Sequence, residues 1–159
     1  DGDYLARYHF VGRTRDTYVV CLGNANADDA TAYIAYVIRG VDNTTPLDQT
    51  PVGSKATGTN PNCNPIVTQT NNAWVFAFAV SGVRDTSVTA PTGYSTAYSA
   101  AGNDTNDITT AGAYIEVATA GTHDPQPYGS WSSGSWYSMT VAFKPYVAPA
   151  ERRIFITHV

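Results

Sequence analysis

The sequence predicts an all-β domain, a two-layer antiparallel β-sandwich, and three observations carry that expectation. Only 14% of the residues are charged, against about a quarter in an ordinary globular protein, and the chain has just two Glu and two Lys. Those are the residues that normally coat the wet face of a helix. Thr, Val and Tyr, which suit a pleated, half-buried surface, are plentiful instead. Thirteen Gly and nine Pro punctuate the chain with turn signals. With 159 residues and 43% apolar content, the chain is long enough for one domain with a full two-layer core, and disorder is not expected.

Strand by strand, Tyr4 to Val11 and Thr17 to Leu22 (TYVVCL) open the pattern. Ala32 to Val41 (AYIAYVIRGV) is apolar on both faces, as a central strand covered twice would be. Its Tyr, Ile and Val residues and the closing Gly40 argue against a helix there. Ile66 to Thr70 is a shorter candidate. Ala73 to Val80 (AWVFAFAV) alternates large against small, so Trp74, Phe76, Phe78 and Val80 share one side, the predicted core face. Tyr94 to Ala100 and Ala113 to Thr119 follow. Ser135 to Lys144 reads as a half-buried strand. Tyr137, Met139, Val141 and Phe143 face the first core set, and Trp136, Ser138, Thr140 and Ala142 point away. Arg153 to Val159 is the last candidate. Around eight strands spaced by turns suggest a sandwich or jelly roll.

The domain is expected over residues 1–145. Residues 146–159 form a C-terminal extension, linker-like at Tyr146 to Ala150, whose end could pair as an extra strand or with a neighbouring subunit. The start at Asp1 rather than Met is what a processed form or a piece of a longer chain would show. Long polar connections, Gly23 to Thr31, Asp42 to Pro65, Ala101 to Gly112 and Ala120 to Gly134, are expected to be functional or structurally pinned.

A net charge of −4 with scattered cations argues against a nucleic-acid partner. No apolar run approaches the roughly 20 residues of a membrane span, so no membrane partner is expected. Cys21 and Cys63 lack metal or redox spacing. Separate thiols are the simpler reading, with a bridge in an oxidising compartment as the alternative. His9, His123 and His158 are far apart, and Ser130, Ser132 and Ser133 sit in a Gly-flanked turn without the strand-to-helix setting of a nucleophile elbow. Glu116 is the only mid-chain Glu, where glycosidase chemistry needs two facing carboxylates. No catalytic residues are therefore assigned.

Two binding constellations stand out. Asp104, Asn106 and Asp107 concentrate hard oxygen ligands, which makes calcium the one cofactor to consider, although Asx-turns explain the same composition. Tyr128, Trp131 and Trp136 lie close together amid Gly and Ser, and exposed rings of this kind would give a flat platform for a sugar. Packing inside the domain or against another subunit is the competing reading. The sequons at Asn43 and Asn103 are the matches that an Asn/Thr-rich chain produces by chance.

The order of several segments resembles a known group. The segments are "VIRGVDNTTPLDQT" (Val37 to Thr50), "AWVFAFAV", "APTGYST" (Ala90 to Thr96), "AYIEVATAGTHDP" (Ala113 to Pro125) and "WYSMTVAFKP" (Trp136 to Pro145). This order is similar to jelly-roll-like β-sandwich domains of bacteriophage structural proteins and bacterial surface proteins. The motifs mark turns and core rather than a reaction. The resemblance implies a non-enzymatic virion protein, such as a capsid decoration, head-fibre or tail-associated domain. Its partners would be other virion proteins or identical subunits. The alternative is a carbohydrate-binding module of a phage fibre or secreted bacterial protein, with surface glycans as partners.

Overall fold

The computed structural model describes residues 34, 36, 38–42, 44–95, 98–101 and 108–147, with 98–101 described by backbone alone. These residues build seven strands: β1 (Val52–Gly58), β2 (Ile66–Thr68), β3 (Ala73–Ser81), β4 (Tyr98–Ala101), β5 (Thr109–Val117), β6 (Gly121–His123) and β7 (Gly134–Phe143). All pairings are antiparallel. One sheet has five strands in the order β1-β7-β3-β5-β4, and β2 pairs with β6 in a second, two-stranded sheet. The described part is thus all-β, and it contains no helix long and apolar enough to cross a membrane.

The long central strand β3 decides how the two faces of the large sheet are built. Its odd residues Ala73, Val75, Ala77, Ala79 and Ser81 all point to one side and are all buried. Their neighbours on that side are equally small: Ala113 and Ala111 of β5 lie opposite Ala77 and Ala79, and Ala142, Thr140 and Ser138 of β7 lie opposite Val75, Ala77 and Ala79. A flat floor results, and coil from residues 60–65, 83–94 and 125–131 packs onto it together with Ile66 of β2.

The even residues form the other face. Trp74, Phe76, Phe78 and Val80 pair with Phe143, Val141, Met139 and Tyr137. Phe76 meets Phe143 edge-on at 5.6 Å and stacks on Phe78 at 5.8 Å. Tyr36, Ile38, Val41 and Leu47 pack over this cluster. Gly112 of β5 is required here, because a Cβ would fall 2.8 Å from the Tyr36 hydroxyl and 3.1 Å from the Phe78 ring.

Four expectations are corrected. The large residues of β3 and β7 do not oppose one another across two layers; they are side-by-side neighbours in one sheet. The side of β7 read as pointing away from the core, Trp136, Ser138, Thr140 and Ala142, is the fully buried one, while Tyr137 and Met139 are half-exposed. Residues 34, 36 and 38–40 are not strand, and only Val41 bridges, to Pro145. Strand β1 lies within the Asp42 to Pro65 segment expected to be loop. With two Gly, a Lys and no apolar alternation it has little strand signal of its own, and its seven-residue ladder with β7 supplies the order. The predicted strands at 4–11, 17–22 and 153–159 lie outside the described residues.

Candidate functional site

The predicted sugar platform lies inside the molecule. Tyr128 is 0% exposed, Trp131 3% and Trp136 7%. The loop carrying the first two is drawn onto the alanine floor, where only bulky rings can fill the space above such short side chains. Their polar ends are satisfied there. The Tyr128 hydroxyl donates to the Ala77 carbonyl at 2.7 Å, and the Trp131 indole N–H donates to Ser81 Oγ at 2.6 Å. The rings meet edge-on at 5.6 Å. Trp136 stands on β7 between Ala56 and Ser81, and its indole N–H has no hydrogen-bond partner among the described residues. All three are buried, so none offers an exposed ring face to a sugar.

The same coil layer is pinned by polar groups that the sequence does not advertise. Asp85 is buried, takes the Ser132 N–H at 3.1 Å and the Ser132 hydroxyl at 2.6 Å, and donates its own N–H to Thr109 Oγ1 at 2.8 Å. Asp48, also buried, accepts from the Gln69 N–H and the Thr70 hydroxyl, while its own N–H donates to the Ala142 carbonyl. From β7, the Ser138 and Thr140 hydroxyls donate to the Asn62 and Asn64 carbonyls at 2.8 and 2.6 Å. His123 Nε2 lies 3.1 Å from Thr68 Oγ1 across the small sheet. Cys63 is a free, fully buried thiol, pushed up to about 11 by desolvation, which leaves it without thiolate character at neutral pH. Glu116 is exposed on β5.

Asp104, Asn106 and Asp107, the calcium candidates, lie outside the described residues, as do Cys21, His9 and His158. Among the described residues no group of three or more His, Cys, Asp or Glu side chains could hold a metal ion.

Beyond the C-terminal end of β7 an open cleft of about 630 Å³ is lined by Asp42, Thr70, Asn71, Asn72, Lys144 and Tyr146, with Pro145 and Val147 at its edge. Its walls are tied by backbone bonds: Asp42 N–H to the Lys144 carbonyl (3.0 Å), Lys144 N–H to the Pro46 carbonyl (2.9 Å) and Tyr146 N–H to the Gly40 carbonyl (2.6 Å). Asp42 Oδ1 accepts the N–H groups of Thr45 (3.0 Å) and Thr44 (2.8 Å), which hold its carboxyl below the usual range. Lys144 Nζ donates to Thr45 Oγ1 at 3.3 Å. Asn71 Oδ1 takes the Ala120 N–H, and Asn72 adopts a left-handed φ of 57°. No short motif links residues so distant in sequence, and only the fold brings them together. Compared with protein-family models, curated proteins and solved structures, the chain matches none.

Proposed function

We propose that this chain is a non-enzymatic structural domain of a virion, jelly-roll-like in architecture, which acts through contacts with identical subunits or other virion proteins. One observation carries the reading: the described coil at 60–65, 83–94 and 125–131 is fastened to the sheet, while β1 stands exposed at the edge of the sheet that the described residues form. Asp85, Tyr128, Trp131, Ser138 and Thr140 are all spent on holding coil against the alanine floor, and Asp48 ties the Gln69–Thr70 turn to the end of β7. That arrangement suits a rigid building block better than a loop-borne reaction centre. Gly53, Lys55, Ala56 and Thr57 of β1 are exposed, and an accessible edge strand is a ready surface for pairing with another chain. The order of the turn and core segments adds the phage analogy, which bears on fold class rather than chemistry. The carbohydrate-binding alternative draws no support from Tyr128, Trp131 or Trp136, whose rings are inside.

Sedimentation of the purified chain across a concentration series tests the proposal. A discrete oligomer is expected, which Ala56→Lys or Thr57→Lys shifts to monomer without lowering the melting temperature of the folded chain. Both positions are exposed and Thr57→Lys gives up only the 3.4 Å contact of Thr57 Oγ1 with Ser135 Oγ, so the added charge acts chiefly on edge pairing. A chain that stays monomeric at every concentration, or an oligomer indifferent to both substitutions, overturns the β1 contact.

A further inference from the structure

The cleft beyond β7 has a chemistry of its own. Its volume of about 630 Å³ falls within the range of small-molecule sites, about 300–1,000 Å³. Its charges cancel: one carboxylate, Asp42, and one ammonium, Lys144. A single carboxylate is too few ligands for calcium, which takes six to eight oxygens. A single lysine is a point charge without the forked donors that hold phosphate firmly. What remains is a mixed set of donors and acceptors. One oxygen of Asp42 is occupied by the turn at Thr44 and Thr45 and the other is left as an acceptor; Asn72 carries both a carbonyl and an amide N–H₂; Lys144 is a donor. Beside them Tyr146 is 55% exposed, so its ring gives an apolar surface at the wall of a cleft of mixed lining.

We infer that this cleft binds a neutral saccharide, with Asp42, Asn72 and Lys144 bonding its hydroxyls and Tyr146 packing on a sugar face. A pyranose presents adjacent hydroxyls that both donate and accept, together with a C–H face that fits a ring, and the cleft offers the complement of each. The walls are set before any ligand arrives. The bridge of Val41 to Pro145 and the bonds at Asp42, Lys144 and Tyr146 fix the backbone, and the tie to Thr45 limits where Lys144 can swing. Little ordering is left for binding to cost. The inference is independent of the proposed subunit contacts, because the cleft residues lie off β1.

Saturation-transfer NMR on the full chain, with maltose, cellobiose, lactose and chitobiose as probes, provides the test. Binding of at least one, with a Kd on the order of 1 mM, is expected. Tyr146→Ala and Asp42→Asn each weaken it about tenfold, through the lost ring face and the lost charged acceptor, while Tyr146→Phe binds nearly as well. Asp42→Asn keeps an oxygen to cap the turn, and Tyr146 is exposed, so both variants fold; an unchanged melting temperature verifies it. Silence from all four sugars, or binding that survives both Tyr146→Ala and Asp42→Asn, overturns the inference. Neither outcome touches the oligomer measurement.

Discussion

One face of the five-stranded sheet carries Ala73, Val75, Ala77, Ala79 and Ser81 beside Ala111, Ala113, Ser138, Thr140 and Ala142, and every one of these is buried. The opposite face carries Trp74, Phe78, Val80, Tyr114, Tyr137 and Met139, all of them half-exposed, with Phe76, Val141 and Phe143 as its buried centre. Burial here follows what covers a face rather than how large its side chains are. On the small face the bulk comes from above: Tyr128 and Trp131 descend from coil onto alanines, so the volume is supplied by the cover. Coil brings exposed backbone groups with it, and a buried carbonyl requires a donor. Ser138 and Thr140 are those donors, which is why a polar half-strand is the inner one.

The comparison can be broken most severely at Trp131. Trp131→Ala opens a cavity over the alanine floor and removes the indole N–H that Ser81 Oγ accepts, a loss of about 3–5 kcal/mol in urea denaturation. Trp74→Ala removes the same ring from the half-covered face, where part of it already meets solvent, and costs roughly half as much. Equal losses would show that the two faces are covered alike.

The alternation that makes β3 and β7 strands was legible in AWVFAFAV and SWYSMTVAF, and so was the all-β class. The inner side was not. Hydropathy ranks Trp and Phe above Ala and Thr, and the coil that reverses the order arrives from residues 60–65, 83–94 and 125–131. Tyr128 and Trp131 were recognisable as a cluster, but a ring that binds a ligand and a ring that seals a floor look the same in sequence. Asp48 and Asp85 carry no signal that separates them from Asp residues in ordinary turns. The cleft was invisible for another reason: Asp42, Asn72, Lys144 and Tyr146 become neighbours only when Val41 bridges to Pro145 and β3 pairs with β7.

A proton can probe the seal of the small face. Burial raises the Cys63 thiol from 9.0 to about 11, and burial also raises the Tyr128 and Tyr94 hydroxyls. The folded chain therefore holds these protons longer than the unfolded chain does. The share of Cys63 is complete below about pH 9 and is lost as pH rises through about 11, while that of the two tyrosines begins to go only above pH 10. Between pH 8 and 11 the stability of the native chain should fall about 2 kcal/mol further than that of Cys63→Ala, read from urea midpoints at each pH. Parallel curves for the two proteins would mean that solvent reaches the thiol and that the coil cover is loose.

The smallest effect gives the finest test of why the inner face of β7 is polar. Thr140→Val keeps the shape and the β-branched preference for strand and removes a single hydroxyl, the one that donates to the Asn64 carbonyl at 2.6 Å. Thr140 is 0% exposed, so water cannot replace the bond without opening the loop at 61–65. A cost of about 1–2 kcal/mol is expected, with faster amide exchange in that loop and no change in the β3 ladder. Val141→Thr, one residue along on the aromatic face, puts a hydroxyl among buried rings, so it should also destabilise by a similar amount, by adding a buried polar group rather than removing one. If Thr140→Val were neutral, the Thr140 hydroxyl would be tolerated there rather than required, and the loop would be held by its apolar contacts and its other bonds, such as that of Ser138 to the Asn62 carbonyl.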